Sequence, residues 1–295
     1  MLILALPPGR RVRRSGRERA PLQQGKTMSV LLGVCNWAHP LLQSPSCCAK
    51  LKDVGIQALQ LDLGSSEGGF PLTSAELRRR WREEADRHGL RLDAVAVLDV
   101  MKHGMVAEPG SERRKTVEEA VAAAVDCAAG MGIPQILLPS FGASAIRTRD
   151  DLRETARCLR WACALAKRRG IAVATENLLD AGMTKTLFAV VSYDNLRTFL
   201  DLSNFTLRRR EKVLDELPEY LAACGGVHIK DGMYGKPGVR LLGDGVAQVE
   251  KQLAALQRTG YTGALFLENA YAAQGFEEPF AALGNDVAYL RRAVL

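Results

Sequence analysis

Residues 171–179 read IAVATENLL: a short apolar run that stops at a carboxylate, Glu176, followed by an amide, Asn177. A lone glutamate at the end of a strand is ordinary, because strands give way to polar turns. The layout recurs, however. FLDLSN (199–204) ends an apolar run at Asp201, GGVHIKDG (225–232) carries His228, and GALFLEN (263–269) ends at Glu268. Side chains alternate between the two faces of a strand, so Glu176 shares a face with Ala172 and Ala174, and Glu268 with Ala264 and Phe266. The two glutamates can therefore point inward together.

Working outward, four earlier apolar runs complete a series: SVLLGVCNWA (29–38), IQALQLDLG (56–64), LRLDAVAVLD (90–99) and QILLPSFG (135–142). Segments of helical period lie between the runs. SAELRRRWREEADRHG (74–89) has Ser74 in the capping position and ends at a glycine, as do segments 116–132, 149–170 and 246–263. A helix between Glu176 and Asp201 is expected on the same plan, though its period is weaker. Eight strand–helix units after residue 28 predict a single-domain (β/α)8 TIM barrel over 28–295. An open dinucleotide-binding sheet would place a glycine-rich turn after its first strand, where this chain has VCNWAHP. LLGDGV (241–246) is read as a tight turn before the last crossover helix.

The bulk numbers fit this plan. Of 295 residues, 47% are hydrophobic and 25% charged, enough for a large core. No apolar run reaches the roughly 20 residues that span a bilayer, so a soluble protein without a membrane partner is expected. The formal charge is +7, but residues 1–27 carry seven basic side chains against Glu18 and account for +6 of it. The nearly neutral remainder argues against a nucleic-acid partner, which would require a basic face. Residues 1–27 read as a disordered basic extension, with the folded protein starting near Met28. Seven cysteines without a metal-type pair suit reduced thiols in a cytoplasm.

Taken singly, each strand-end group has a plain reading: a solvated acid, a helix cap or a hydrogen-bonded structural histidine. Four together, on strands five to eight, place negative charge at the barrel mouth that needs a cation to offset it. Three carboxylates and an imidazole suit a hard or borderline divalent ion.

With ATENLL, FLDLSNF, GVHIKDG, the stretch from Leu241 to Gly263 and the closing LFLEN, the chain resembles the xylose-isomerase-like superfamily of sugar isomerases and epimerases. The resemblance covers essentially everything after Met28. It implies one divalent ion, Mn2+ first and Mg2+, Co2+ or Zn2+ as alternatives, held by Glu176, Asp201, His228 and Glu268. It also implies proton transfer beside a carbonyl through a metal-stabilised enediolate, with Glu176 and Glu268 as the two bases. The substrate would be a keto-sugar, cyclitol or related polyol.

The sugar-orienting residues depart from those of the ketose 3-epimerases in this group. ENLLDAGM lacks their Arg and second Glu, Asn204 stands where they have a histidine, and Tyr234, with Lys236 nearby, replaces their Arg. These departures point away from free-ketose 3-epimerisation. Candidate substrate-binding residues are His103, Asn177, Asn204, Lys230, Tyr234 and Arg240. For each a plainer role stands beside it: an exposed loop for His103, pairing with a carboxylate such as Asp231 for Lys230, solvation for Arg240 and Lys236. Trp37 is read either as a platform for a sugar face or as a core or rim residue.

Three other functions remain open from the sequence. The same bases could drive a dehydratase or lyase reaction on an oxidised sugar. A non-catalytic sugar-binding barrel keeps the ligands without turnover. An abasic-site nuclease would need many more histidines than the four present. Homo-oligomerisation is compatible with the sequence but not read from it.

Overall fold

The computed structural model describes residues 29–294; the expected extension and its boundary at Met28 lie outside them. In chain order the strands are β1 (Leu31–Cys35), β2 (Ala58–Asp62), β3 (Arg91–Ala96), β4 (Gln135–Pro139), β5 (Ala172–Glu176), β6 (Leu196–Asp201), β7 (Cys224–Ile229), β8 (Asp231–Met233), β9 (Lys236–Arg240) and β10 (Ala264–Leu267). Eight of them close into a parallel barrel ordered β1-β10-β7-β6-β5-β4-β3-β2. All eight expected barrel strands are present. The remaining two form an antiparallel hairpin, β8–β9, in the loop after β7.

The crossover helices begin and end where local chemistry directs. Ser74 accepts the Leu77 N–H to start the helix Ala75–His88, and Gly89 closes it at φ 64°, a backbone region that costs glycine little. The weakly periodic segment after β5 does form a helix, Ala181–Val191, started by Asp180 accepting from Met183 N. It ends at Ser192 with φ 55°. A serine in the left-handed region carries none of the sequence signature of a glycine stop, which is why this helix reads weakly.

Two apolar layers result. One lies between the strands and the helices. The other is the barrel interior, filled by Cys35, Ala58, Ala96, Leu137, Ala174, Phe199, Ala264 and Phe266. The two rings need room. A β-carbon at Gly33 would stand 2.3 Å from Phe266, and one at Gly226 would stand 2.6 Å from Phe199. Phe199 lies two residues before Asp201 on β6, and Phe266 two before Glu268 beyond β10, so the rings form the layer directly beneath those acids.

The turn at 241–246 folds over a buried carboxylate. Asp231 accepts four backbone N–H groups: Gly232 (2.7 Å) and Ala247 (3.0 Å) on one oxygen, Gly243 (2.9 Å) and Gly245 (3.1 Å) on the other. Its own backbone N–H donates to Asn269 Oδ1 at 3.0 Å. Asn269 and Tyr271 in turn donate to Asp286 on the final helix, at 2.7 and 2.9 Å. Loops that follow β7 and β10 are thereby held to one another and to the C-terminal helix. No helix among the described residues is long and apolar enough to cross a membrane.

Candidate active site and metal centre

Glu176, Asp201, His228 and Glu268 each offer one ligand atom within a group whose atoms all lie within 4.8 Å of one another. The register explains the convergence. Asp201 stands beside His228, Glu176 beside Phe199, and His228 beside Phe266, two residues before Glu268, so inward side chains at the ends of β5, β6 and β7 and just beyond β10 fall on adjacent layers at one end of the barrel. All four residues are buried except Glu268, which is partly so.

Each carboxylate has one oxygen bonded by a neutral protein N–H. Asp201 Oδ1 accepts the Asn204 backbone N–H at 2.8 Å, capping a short helical turn, Leu202–Thr206. Glu268 Oε1 accepts the Trp37 indole N–H at 3.0 Å, and Glu176 Oε1 accepts the Asn204 amide at 3.4 Å. The other oxygens of the two glutamates face His228 Nδ1, which lies 3.4 Å from Glu176 Oε2 and 3.6 Å from Glu268 Oε2.

His228 Nε2 lies 2.8 Å from Gln60 Oε1 on β2. An amide oxygen only accepts, so Nε2 carries a proton, and Nδ1 is the nitrogen that can offer a lone pair to a cation held among the carboxylates once its own proton is displaced. Nδ1 is buried and has no hydrogen-bond partner among the described residues. A buried imidazole nitrogen facing three carboxylates matches the donor chemistry of a divalent ion with outer partners fixing the ligands. The residues present therefore fit a metal.

Electrostatics follow from the crowding. Burial pushes the Asp201 carboxyl up to about 6, with Glu268 and Glu176 adding to the rise and Lys230 opposing it. Burial also disfavours charge on Glu268, yet His228 and Lys230 beside it hold that carboxyl down to about 2. Desolvation works against the His228 imidazolium, but Glu268 and Glu176 outweigh it and raise its pKa well above the usual histidine value. Lys230 is likewise disfavoured by burial and held above the ordinary lysine range by Asp201, Glu268 and Glu176. Burial pushes the neighbouring Cys35 thiol up to about 12, leaving it a neutral neighbour that donates to Gln60 Oε1 at 3.4 Å.

The structure brings some of the expected substrate-binding residues to this cluster and not others. Asn204 lies within it. Lys230 does too, but it does not pair with Asp231, whose oxygens are taken by backbone N–H groups. Its ammonium lies 2.6 Å from Asp201 Oδ2 and 2.5 Å from Glu268 Oε2. Trp37 is neither a free platform nor simple core, since its indole fixes Glu268 and its ring meets His228 edge-on at 6.1 Å. Asn177 turns away: its oxygen accepts from Leu179 N at 3.0 Å, and it lines a small void outside the barrel with Thr175, Thr198 and Tyr220. His103 joins Ser66 (3.1 Å) and Asp99 (3.4 Å) across the mouth, beside a cleft of about 410 Å3 between the loops after β2 and β3. Tyr234 is exposed on the hairpin with the Arg209 guanidinium 4.7 Å over its ring. Arg240 is exposed, and its guanidinium donates to the Val239 carbonyl at 2.9 Å.

Gln60 has no counterpart among the expected site residues. Its trace in the sequence is a polar residue between Leu59 and Leu61, on the inward face of a strand. Arg209 is equally unannounced, one of three consecutive arginines at 208–210.

With that geometry in view, the family model described as xylose isomerase-like TIM barrel matches residues 48–293. The chain belongs to this family. The xylose isomerase-like barrel is 30% identical over 278 residues to a 2-epi-5-epi-valiolone 7-phosphate 2-epimerase of Actinoplanes sp., covering 91% of this chain and 96% of that protein. Its fold is shared with a D-psicose 3-epimerase from Clostridium cellulolyticum H10 (TM-score 0.69, 13% identity, 90% of this chain and 99% of that one). It is shared too with a 3-keto-D-glucoside 4-epimerase from E. coli (TM-score 0.71, 17% identity, 89% and 99%). The 30%-identical relative is thus an epimerase, and both solved structures share the barrel fold.

Proposed function

We propose that this enzyme epimerises a carbon beside a carbonyl, with a phosphorylated keto-cyclitol as its substrate class and a divalent ion at the four-residue cluster. One observation carries the reading: three carboxylate oxygens and His228 Nδ1 converge within 4.8 Å at the barrel mouth. When bound, such an ion supplies Lewis acidity for adjacent carbonyl and hydroxyl oxygens of a substrate.

The remaining work belongs to the chain. Glu176 and Glu268 stand on strands separated by β6 and β7, an arrangement that lets one glutamate take a carbon-bound proton and the other return it from the opposite face. Asn204 and the Trp37 indole hold those two carboxylates in place. Phe199 and Phe266 exclude water from below. A phosphate is favoured by the relative's 7-phosphate substrate and by Arg209 and Lys236 at the hairpin rim.

The test is to incubate Mn2+-loaded protein with a keto-cyclitol phosphate in deuterated water and follow the proton beside the carbonyl by NMR. Epimerisation with deuterium uptake at that carbon supports the reading. Elimination of a neighbouring hydroxyl would instead favour a dehydratase, and no exchange with keto-cyclitols, keto-sugars or their phosphates would sink the proposal. The nuclease reading finds little support: of the four histidines, His39, His88 and His103 bond elsewhere and only His228 joins the cluster.

A further inference from the structure

We infer that Lys230 is a tethered cation that competes with the divalent ion for Asp201 and Glu268, so that metal binding and release of the Lys230 ammonium are one event. The inference rests on the metal site proposed above and assigns its regulation.

Three of the cluster's six carboxylate oxygens are already spoken for. Asp201 Oδ1, Glu268 Oε1 and Glu176 Oε1 are each bonded to a protein nitrogen. The donors left to an ion are Asp201 Oδ2, Glu268 Oε2, Glu176 Oε2 and His228 Nδ1. Lys230 Nζ lies 2.6 Å from the first of these and 2.5 Å from the second. An ion bound to those same two oxygens at metal–oxygen lengths of about 2.0–2.2 Å would lie within about 5 Å of the ammonium. Like charges that close, in a site where Lys230 is only 8% exposed, repel with little screening.

Three carboxylates buried around one point also need a cation at all times. Lys230 fills that need and keeps the ligands assembled, at the cost of weakening the hold on metal. It stands one residue beyond β7, on the rim, so the displaced ammonium stays within a side chain's length of whatever binds above the ion. An anionic oxygen of the substrate is the natural next partner for that charge.

The experiment is a calorimetric titration of Mn2+ into chelator-stripped protein, comparing wild type with Lys230→Met and Lys230→Gln. Both variants are expected to bind Mn2+ more tightly, by about tenfold or more, and their stripped forms to melt at lower temperature than stripped wild type. A second measurement needs no variant and stands if neither folds. Reductive methylation of wild-type lysines, read by peptide mass spectrometry, should modify Lys230 several-fold more with Mg2+ bound than after stripping, while exposed Lys50 stays constant. Unchanged Mn2+ affinity in the variants, or Lys230 labelling indifferent to Mg2+, overturns the competition and leaves the metal site standing. Failure of wild type and variants alike to bind Mn2+ overturns the metal site and this inference with it.

Discussion

Gln60 on β2 and His228 on β7 meet across the barrel interior, side-chain oxygen to ring nitrogen, at 2.8 Å. That contact sets which imidazole nitrogen faces the carboxylates. Replacing Gln60 by Met removes the acceptor while leaving a side chain of similar length. Outer partners of this kind are worth about 10–100-fold in metal affinity, so Gln60→Met is expected to bind Mn2+ weaker by that order. Histidine nitrogen NMR of the Mn2+-free, Zn2+-loaded protein checks the cause, since the Nε2 proton loses its acceptor and its resonance should shift. Undiminished affinity with an unshifted Nε2 proton would remove Gln60 from the site.

Glu176 and Glu268 are expected to be unequal to their amides in chemistry and nearly equal in fold. Glu176→Gln and Glu268→Gln should each lower turnover by roughly 10²–10⁴. The decisive comparison is made at saturating Mn2+, with bound metal quantified, so that lost ligation is separated from a lost base. Under those conditions a single-base variant that still exchanges the substrate proton with solvent, without inverting the carbon, identifies the surviving glutamate's face. Full activity in either variant would contradict the two-base scheme.

Arg209 stacks on Tyr234 at the rim. If it receives the substrate phosphate, Arg209→Ala should raise KM for a phosphorylated substrate by about tenfold and leave kcat close to wild type. The unphosphorylated analogue serves as the control, because its KM should hardly move. Equal effects on both would mean that Arg209 shapes the loop and does not read the phosphate.

Asp286 provides a pH dependence away from the ligands. Burial raises its carboxyl to about 6, while bonds from Leu242 N, Asn269 and Tyr271 pull the other way. Its folded pKa lies above the unfolded value of about 3.9, so between those pH values the native state holds a proton that the unfolded chain has lost. The stability from this group is full below about pH 4 and falls away as pH rises through 6, by about 3 kcal/mol at most. Urea unfolding of metal-stripped wild type and Asp286→Asn at pH 4.5 and 7.5 should show wild type losing ground to the variant as pH rises. Parallel curves would refute the raised pKa.

Much of this is legible in the sequence. Strand alternation placed Glu176 and Glu268 on the inward face, and that is where they lie, because a two-residue period leaves little freedom in a closed barrel. Asn177 is expected at the substrate, but the same period puts it on the face of Thr175, opposite Glu176, and its side chain turns away to accept from Leu179 N. Lys230 shares its face with His228, but its partners depend on how neighbouring strands are aligned, which one strand's sequence does not encode. Gln60 belongs to a strand 168 residues away from His228, so no local pattern pairs them. The hairpin Asp231–Arg240 hides because its short strands carry no alternation, and its anchor, Asp231, collects backbone groups that look alike in every sequence.

The paired rings of Phe199 and Phe266 have a kinetic corollary. They seal the bottom of the chamber, so everything that visits the four ligands comes and goes through the open top. On the proposed function, a sugar seated there would cork the ion beneath it. Binding would then follow an order, ion first and sugar second, and an occupied enzyme should surrender its ion to a chelator only as fast as it lets go of the sugar.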